Sequence, residues 1–423
     1  MEIESFIKKM KDINSSLLDF IEESDDLDKC DAKFKTLIQL LEKQEVFRNK
    51  KEMQLIFQII SKITDNHHRP PDFFNKLEKL FQFLIKDSPS PISYFIPDYT
   101  NYNKPVVFLL LQKKLLKPDK PFLNEYLENK QFIHPRSNKN LFEYRSYYYL
   151  YPVIKEFLEE KIQKEIEEVI LNHFEEELST FEEKCKIGEN DSYICSLIRL
   201  DSVEEFIAYV NRTNLSLLTK IKPSIYETHS FLIDKEPTLI EYAAFFGSIQ
   251  IIQYLKYNNV PLTSSMWVYA IHSNKEELIH FLEENRVKPE KNIYNYYTKT
   301  IESYDDVIIE SIKCHHNGIS NYIKYNFYKI INLNDEPQFY DKYSGTIFNS
   351  LNFIFFPDEV TYIICNTRKE EGFKLSQLCF SLTTITITSS VTSIRKYAFF
   401  WMFIIDTNNN SFFCNFNWRL CFL

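Results

Sequence analysis

One stretch of the chain, Thr238 to Val260, limits the possible folds more than any other. It reads TLIEYAAFFGSIQIIQYLKYNNV. Thr238 followed three residues later by Glu241 is a capping-box pattern, which predicts the start of a helix. Gly247 can adopt the left-handed backbone that ends a helix. The stretch therefore predicts two short antiparallel helices, neither of which can bury its apolar face alone.

This stretch also resembles an ankyrin repeat, a unit that reads roughly T-P-L-H-x-A-A-x-x-G followed by a branched pair and a Leu pair. The matching positions are Thr238, Ala243, Ala244, Gly247, Ile251, Ile252 and Leu255. Leu239, Glu241 and Asn259 stand where Pro, His and the closing Gly are usual. The resemblance implies a helical hairpin that stacks on similar units and binds other proteins.

Further copies of the second-helix pattern predict an irregular array of hairpins. The pattern recurs at residues 206–210, 278–282 and 319–323, with an aromatic residue in the fourth position of each copy. The spacings are 45, 27 and 41 residues (206 to 251, 251 to 278, 278 to 319), whereas an ankyrin repeat takes about 33 residues. We therefore expect long excursions on one face of the array, at Lys220–Pro237 and Lys288–Ser303.

A different repeat is predicted near the carboxyl terminus. Residues 381–399 alternate apolar and Thr or Ser side chains, which is the period of a strand. They resemble a BspA-like leucine-rich repeat, with Thr388 and Arg395 in place of the usual Pro and Gly. An earlier copy runs from Leu351 to Ile363 and keeps the Pro at Pro357. Two units are too few for a continuous core, so either the array is truncated or residues 401–423 form an irregular aromatic cap.

The first part of the chain carries helical stripes of apolar residues, broken at polar or Pro-bearing turns such as Ser24–Asp28 and Lys117–Pro118. Residues Pro152–Glu183 are expected to form one long charged helix packed on one side, with a short coiled coil as the alternative. The order of segments resembles large protist families of divergent ankyrin proteins, whose amino-terminal halves carry an Asn-His-His-Arg loop, here Asn66–Arg69. That resemblance implies scaffolding.

The predicted fold is mainly α: a solenoid of helical hairpins with a short β-rich leucine-rich-repeat segment. The predicted domains are a helical domain (1–151), a charged helix or linker (152–187), a degenerate ankyrin-like array (190–335), two leucine-rich units (345–400) and an unpatterned tail (401–423).

Composition restricts the class of function. The chain of 423 residues has five glycines and a formal net charge of −9. Few glycines argue against a doubly wound nucleotide-binding fold, and the acidic balance argues against general nucleic-acid binding. The longest apolar run, Val106–Leu111, is too short to span a bilayer, and the amino terminus has no signal-peptide pattern. Eight isolated cysteines fit a reduced, cytoplasmic setting.

Motifs for catalysis, cofactors or metals are not predicted. Cys314-His315-His316 groups three soft ligands, but no distant partner motif completes a zinc site, so we expect a structural turn. His67-His68 is expected to be a polar loop. His173 has no second His at metalloprotease spacing. Cys185 and Cys195 show no spacing that pairs them with a His and an acid.

The sequence therefore predicts a non-enzymatic scaffold for other proteins, with no cofactor, an unknown partner and an unknown oligomeric state. The expected partner-binding residues lie in the loops around the best-formed unit: Tyr226, Asp234, Lys235, Asn258 and Asn259. Two alternatives stay open, a fragment of a surface adhesion protein with leucine-rich repeats and a non-functional gene fragment.

Overall fold

The computed structural model describes residues 3–23, 26–70, 72–86, 104–130, 145–173, 177–233, 235–289, 304–328 and 336–356. Within these ranges the chain forms eighteen α-helices and no strand, which confirms the prediction of a mainly α protein. The helices are α1 (Ile3–Glu22), α2 (Leu27–Lys43), α3 (Lys50–Asn66), α4 (Phe73–Lys86), α5 (Lys104–Gln112), α6 (Lys120–Lys130), α7 (Arg145–Ile154), α8 (Glu160–His173), α9 (Leu178–Ile187), α10 (Tyr193–Arg199), α11 (Val203–Thr213), α12 (Leu239–Phe246), α13 (Ile249–Tyr257), α14 (Met266–His272), α15 (Glu276–Glu284), α16 (Asp305–Lys313), α17 (Asn317–Asn326) and α18 (Glu336–Ser350).

The chain divides into two compact units by its internal contacts. The first combines Met1–Ile63 with Lys291–Leu423, and the second is Thr64–Glu290. The predicted domain boundaries followed chain order and stay a prediction. Each unit is described separately below.

Three hairpins stack in the second unit: α10 with α11, α12 with α13, and α14 with α15. The first helices contact one another in the order α10, α12, α14, and α11 contacts α13. Each first helix ends at a residue in the left-handed conformation, Asp201 (φ 49°), Gly247 (φ 68°) or Asn274 (φ 54°). This conformation reverses the chain within a few residues, so the second helix can return along the first.

The second helices also end alike. Asn214, Asn259 and Arg286 are left-handed, with φ values of 50°, 62° and 56°. The apolar residue that follows each of them donates its N–H to a carbonyl five residues earlier: Leu215 to Val210 (3.1 Å), Val260 to Leu255 (3.0 Å) and Val287 to Leu282 (3.0 Å). The same two turns therefore recur in all three hairpins despite unequal loop lengths between them.

Side chains at the hairpin turns connect neighbouring hairpins. The Asp201 carboxylate accepts the N–H groups of Gln250 (3.1 Å) and Ile251 (3.0 Å), so it caps α13 from the preceding hairpin. Ser248 donates its hydroxyl to the Ile198 carbonyl, and Lys275 Nζ lies 2.7 Å from the Gly247 carbonyl. Orphan backbone groups at the helix ends are thus satisfied by the adjacent hairpin.

Helices α4 to α9 form the remainder of the second unit. Helix α5 is buried from Pro105 to Leu111 and contacts α4, α7 and α9. The prediction of one long helix over Pro152–Glu183 is wrong. A 3₁₀ turn at Lys155–Phe157 and an extended Leu158 separate α7 from α8. The Leu158 side chain is buried at this break.

The first unit joins the amino-terminal helices to the last described ones. Helix α1 contacts α2 and the 3₁₀ helix Phe353–Phe355, and Lys9 Nζ forms a largely buried ion pair with Glu52 at 2.6 Å. Helices α16 and α17 form a hairpin whose first helix ends at the left-handed His315 (φ 59°). The predicted copy at 319–323 lies in its second helix.

Helix α18 ends with the same turn, at Leu351 (φ 55°). Asn352, the next residue, donates its amide to the Ile312 carbonyl at 3.0 Å, much as Ser248 bonds the Ile198 carbonyl in the second unit. Residues 351–356, where a leucine-rich strand was expected to begin, therefore start with a helical turn. The rest of the predicted leucine-rich segment and the tail, residues 357–423, lies outside the described residues.

The turn at Gly247 gives a direct test of the hairpin packing. A Cβ at this position would lie 2.7 Å from Lys275 Cδ and 2.9 Å from Ser273 Cβ, and the left-handed backbone disfavours any L side chain. We expect Gly247→Ala to lower the free energy of unfolding by about 1–2 kcal/mol, measured by urea denaturation with far-UV circular dichroism. Gln253→Ala on the exposed side of α13 is the control and should change stability little. Equal midpoints for the two variants would contradict the close approach at Gly247.

Candidate interaction surface

The residues that carry the ankyrin-like pattern belong to the core of the second unit. The Thr238 N–H bonds the Glu241 carboxylate at 2.8 Å and the Glu241 N–H bonds the Thr238 hydroxyl at 3.4 Å, which completes the predicted capping box. The small and branched positions are at most 1% exposed: Ala243, Ala244, Ile251, Ile252 and Leu255. These residues build the stack and leave no side chain free for a partner.

The predicted excursion Lys220–Pro237 is closed at its base and returns onto the stack. An antiparallel bridge joins Lys220 to Thr238, and the Ile221 N–H bonds the Pro237 carbonyl at 2.7 Å. Residues 222–233, here called the strap, then run over the first helices of the hairpins. Their side chains are buried from Ser224 to His229.

Aromatic contacts hold the strap on helices α12 and α14. The Phe231 ring stacks on Phe245 (5.9 Å between centroids), meets Tyr269 edge-on (5.0 Å) and lies 4.3 Å from the His272 ring. His229 lies edge-on to Phe245 at 4.7 Å. The strap therefore covers part of the first helices α12 and α14.

Polar groups fix the middle of the strap. The buried Glu227 carboxylate accepts the N–H groups of His229 (2.9 Å) and Asn190 (3.3 Å). The Thr228 hydroxyl bonds the Gly188 carbonyl at 2.6 Å and accepts a hydrogen bond from Arg69 Nη1 at 2.8 Å. Burial raises the pKa of the Glu227 carboxyl, an effect that the His229 N–H and the Arg69 cation oppose.

The predicted partner-binding residues separate into covered and exposed positions. Tyr226 is only 3% exposed and packs edge-on against Phe181, with Lys184 over its ring. We therefore remove Tyr226 from the candidate surface, because its ring supports the strap from inside. Asp234 lies outside the described residues.

The other three predicted residues are exposed. Lys235 places its amine 3.2 Å from the centroid of the Phe231 ring, a cation–π contact at the end of the strap. Asn258 donates its amide to the Tyr254 carbonyl at 2.9 Å, and Asn259 adopts the left-handed turn that ends α13. Both asparagines face solvent beside the carboxyl end of α13.

Two large apolar side chains near these asparagines were not predicted. Tyr257 is 87% exposed at the end of α13, and Leu218 is 62% exposed in the loop after α11. Leu255, two residues before Tyr257 in α13, is buried. The sequence could have indicated that Tyr257 is exposed, because this residue lies outside the apolar face of α13 that Ile251, Ile252 and Leu255 form. We call the side of the stack formed by the carboxyl ends of α11, α13 and α15 and the turns that follow them the free edge.

The cysteine and histidine motifs lie in helices and turns. His315 forms the left-handed turn between α16 and α17, as expected, and its Nε2 lies 3.0 Å from the Ser350 carbonyl. Burial raises the pKa of the Cys195 thiol to about 12, which opposes the thiolate that a nucleophile requires. Cys185 is buried as well. His67 lies in the loop after α3, as expected, but its side chain is fully buried.

The helices of the described ranges include none that is both long and apolar enough to cross a membrane.

His229 makes the stability of the strap depend on pH. Burial lowers the pKa of its imidazole, and the neighbouring His272 and Arg69 lower it further. The unfolded chain, with a pKa near 6.5, therefore binds this proton before the folded chain does. The contribution of His229 is complete above about pH 6.5 and declines as the pH falls below that value, by up to about 1.4 kcal/mol per pH unit.

We expect His229→Phe, which keeps a ring beside Phe245 and His272, to reduce the loss of melting temperature between about pH 7.5 and about pH 6. The measurement is thermal unfolding of both proteins across this range. His280→Phe is a suitable control because that imidazole is exposed on α15. An identical pH dependence in wild type and His229→Phe would show that the imidazole is not desolvated in the folded protein.

Comparison with known proteins yields no relative from which a function could be transferred. No family model matches the chain, and no significant match is found among curated proteins or solved structures. The ankyrin-like and leucine-rich resemblances consequently stay predictions, and the candidate surface is defined by geometry alone.

Proposed function

We propose that this chain is a non-enzymatic cytoplasmic scaffold that binds another protein through an ankyrin-like stack of helical hairpins. One observation carries the proposal: the same pair of left-handed turns recurs in three stacked hairpins of the second unit. The recurrence aligns the carboxyl ends of the second helices along one edge. Repeat proteins use the extended surfaces of such stacks to bind partners.

The position of the strap determines which part of the stack can receive a partner. Helices α12 and α14 are buried on most of their surface, partly under Phe231 and His229. The free edge instead exposes Tyr257 and Leu218 beside Asn258 and Asn259. Exposed tyrosines supply large, rigid contact area and are enriched among the residues that dominate binding energy. The proposal therefore places the partner on the free edge.

Site-specific photocrosslinking of the full chain tests this placement. Benzoylphenylalanine replaces Leu218 or Asn258 on the free edge, or Lys161 on the exposed side of α8 as the matched control. In an extract of the cells that express the protein, both edge positions should give the same discrete adduct and the control should not. If neither edge position yields a discrete adduct, or if all three capture the same proteins, the scaffold proposal fails.

The captured partner then allows a quantitative prediction. The double change Tyr257→Ala and Asn258→Ala should weaken the purified complex by about tenfold, as expected for an exposed aromatic anchor, and leave the melting temperature unchanged. Tyr226→Ala is the contrasting variant: it should lower the melting temperature because the ring is buried against Phe181. Isothermal calorimetry and thermal unfolding provide the two readouts. If the double variant binds the partner with unchanged affinity, the partner does not bind at the free edge.

The alternative, a fragment of a surface adhesion protein with leucine-rich repeats, depends on residues 357–423, which the structure does not describe. No contact among the described residues favours it, and we do not develop it further.

A further inference from the structure

Six basic side chains lie along the free edge of the second unit. All are exposed, and they come from three separate parts of the sequence: Arg212, Lys220, Lys222, Lys256, Arg286 and Lys288. None has a carboxylate oxygen within 4.0 Å among the residues that the structure describes. The free edge also carries Glu283 and Glu284 at the end of α15, so the six cations outnumber these two carboxylates, whereas the whole chain has a formal net charge of −9.

The fold brings these three parts of the sequence to the same side. Helix α11 contacts α13, and Lys256 at the end of α13 donates a hydrogen bond to Asn285 after α15. Lys220 pairs with Thr238 at the start of α12, and Trp267 at the start of α14 donates its indole N–H to the Val287 carbonyl at 2.8 Å. The amino ends of the first helices thus meet the carboxyl ends of the second helices, where all six cations lie.

The helix dipole explains only a part of this pattern. Lys and Arg in the last turn of a helix are stabilised by the partial negative charge there, which accounts for Arg212 and Lys256. Lys220, Lys222, Arg286 and Lys288 lie outside the helices, where the dipole falls off rapidly. The dipole therefore does not account for these four cations.

The opposite ends of the same helices are acidic. Glu204 and Glu205 are exposed in the first turn of α11, and Glu276 and Glu277 in the first turn of α15. A long polyanion such as a nucleic acid would be repelled where it crossed these carboxylates. A short anionic segment that follows the free edge avoids these four carboxylates, although it passes Glu283 and Glu284 at the end of α15, and it can also cover Leu218 and Tyr257.

We propose that the free edge binds an acidic segment of a partner protein, with Asp or Glu side chains opposite the six cations and apolar side chains against Leu218 and Tyr257. This assignment rests on the proposed scaffold function and names the chemical class of its partner. Opposite charges across such a surface accelerate association and select the partner, while the two apolar side chains contribute buried area.

Fluorescence anisotropy with the full-length protein tests the proposal. The probe is a labelled 15-residue peptide of Glu and Asp with Leu or Phe at every third position. Its neutral counterpart has Gln and Asn in place of Glu and Asp, and a single-stranded RNA of equal charge represents the other class of anion. The acidic peptide should bind at least about tenfold more tightly than both, and its affinity should fall with added salt.

Charge reversal on the free edge provides the matched comparison. The triple variant Lys222→Glu, Lys256→Glu, Lys288→Glu should weaken the acidic peptide at least about tenfold, since each exposed ion pair changes an affinity by up to about fivefold. The control triple variant Lys117→Glu, Lys120→Glu, Lys161→Glu changes the net charge equally at exposed positions outside the hairpin stack. It should bind like wild type, and circular dichroism should show both variants folded.

Three results would overturn the proposal: equal binding of the neutral peptide, tighter binding of the RNA, or equal weakening by the two triple variants. The scaffold function is judged separately by photocrosslinking. If Leu218 and Asn258 positions capture one partner whose affinity is unaffected by the free-edge triple variant, the scaffold function stands and the acidic-segment proposal is wrong.

Discussion

The four hairpins α10–α11, α12–α13, α14–α15 and α16–α17 share one backbone conformation, a left-handed residue in the turn after the first helix. A side chain normally disfavours this conformation by roughly 1–2 kcal/mol, yet Asp201, Asn274 and His315 adopt it as Gly247 does, and Leu351 adopts it after α18. The surrounding contacts offset that strain. Asp201 caps the second helix of the following hairpin, and His315 bonds the Ser350 carbonyl. Each of these two strained turns is thus stabilised by contacts with the adjacent helical element, which the turn also helps to position.

Local signals in the sequence were sufficient to identify these hairpins. The Thr238–Glu241 box, Gly247 and the branched pair Ile251–Ile252 act within a few residues of one another, so their pattern survives in a single sequence. Two of the three uneven spacings between the copies recur in the turns of the second unit. The left-handed residues that end the second helices are separated by the same 45 and 27 residues as the sequence pattern (214 to 259, 259 to 286).

Long-range contacts account for what the sequence did not reveal. The strap looked like a solvated excursion, but Glu227, Thr228 and His229 find partners at Asn190, Gly188 and Phe245. Near Leu351, apolar residues in close succession imitated a strand, although a left-handed turn there starts a helical turn instead. The free edge escaped notice because its six cations come from three parts of the sequence, none of which is strongly basic by itself.

Burial of the Glu227 carboxyl in the strap costs free energy, and this cost limits which surface of the stack a partner can use. Desolvation of a carboxyl such as Glu227 opposes folding, and here two backbone N–H groups and the nearby Arg69 cation offset it. Removing the strap from helices α12 and α14 would break these hydrogen bonds together and expose Phe231, His229 and Tyr226 at the same time.

A partner that competed with the strap for helices α12 and α14 would have to supply equivalent groups in the same places. The cations of the free edge have no carboxylate oxygen within 4.0 Å among the described residues, although Lys256 also bonds Asn285. The covered first helices and the exposed edge therefore favour the proposal that a partner docks on the free edge without displacing the strap.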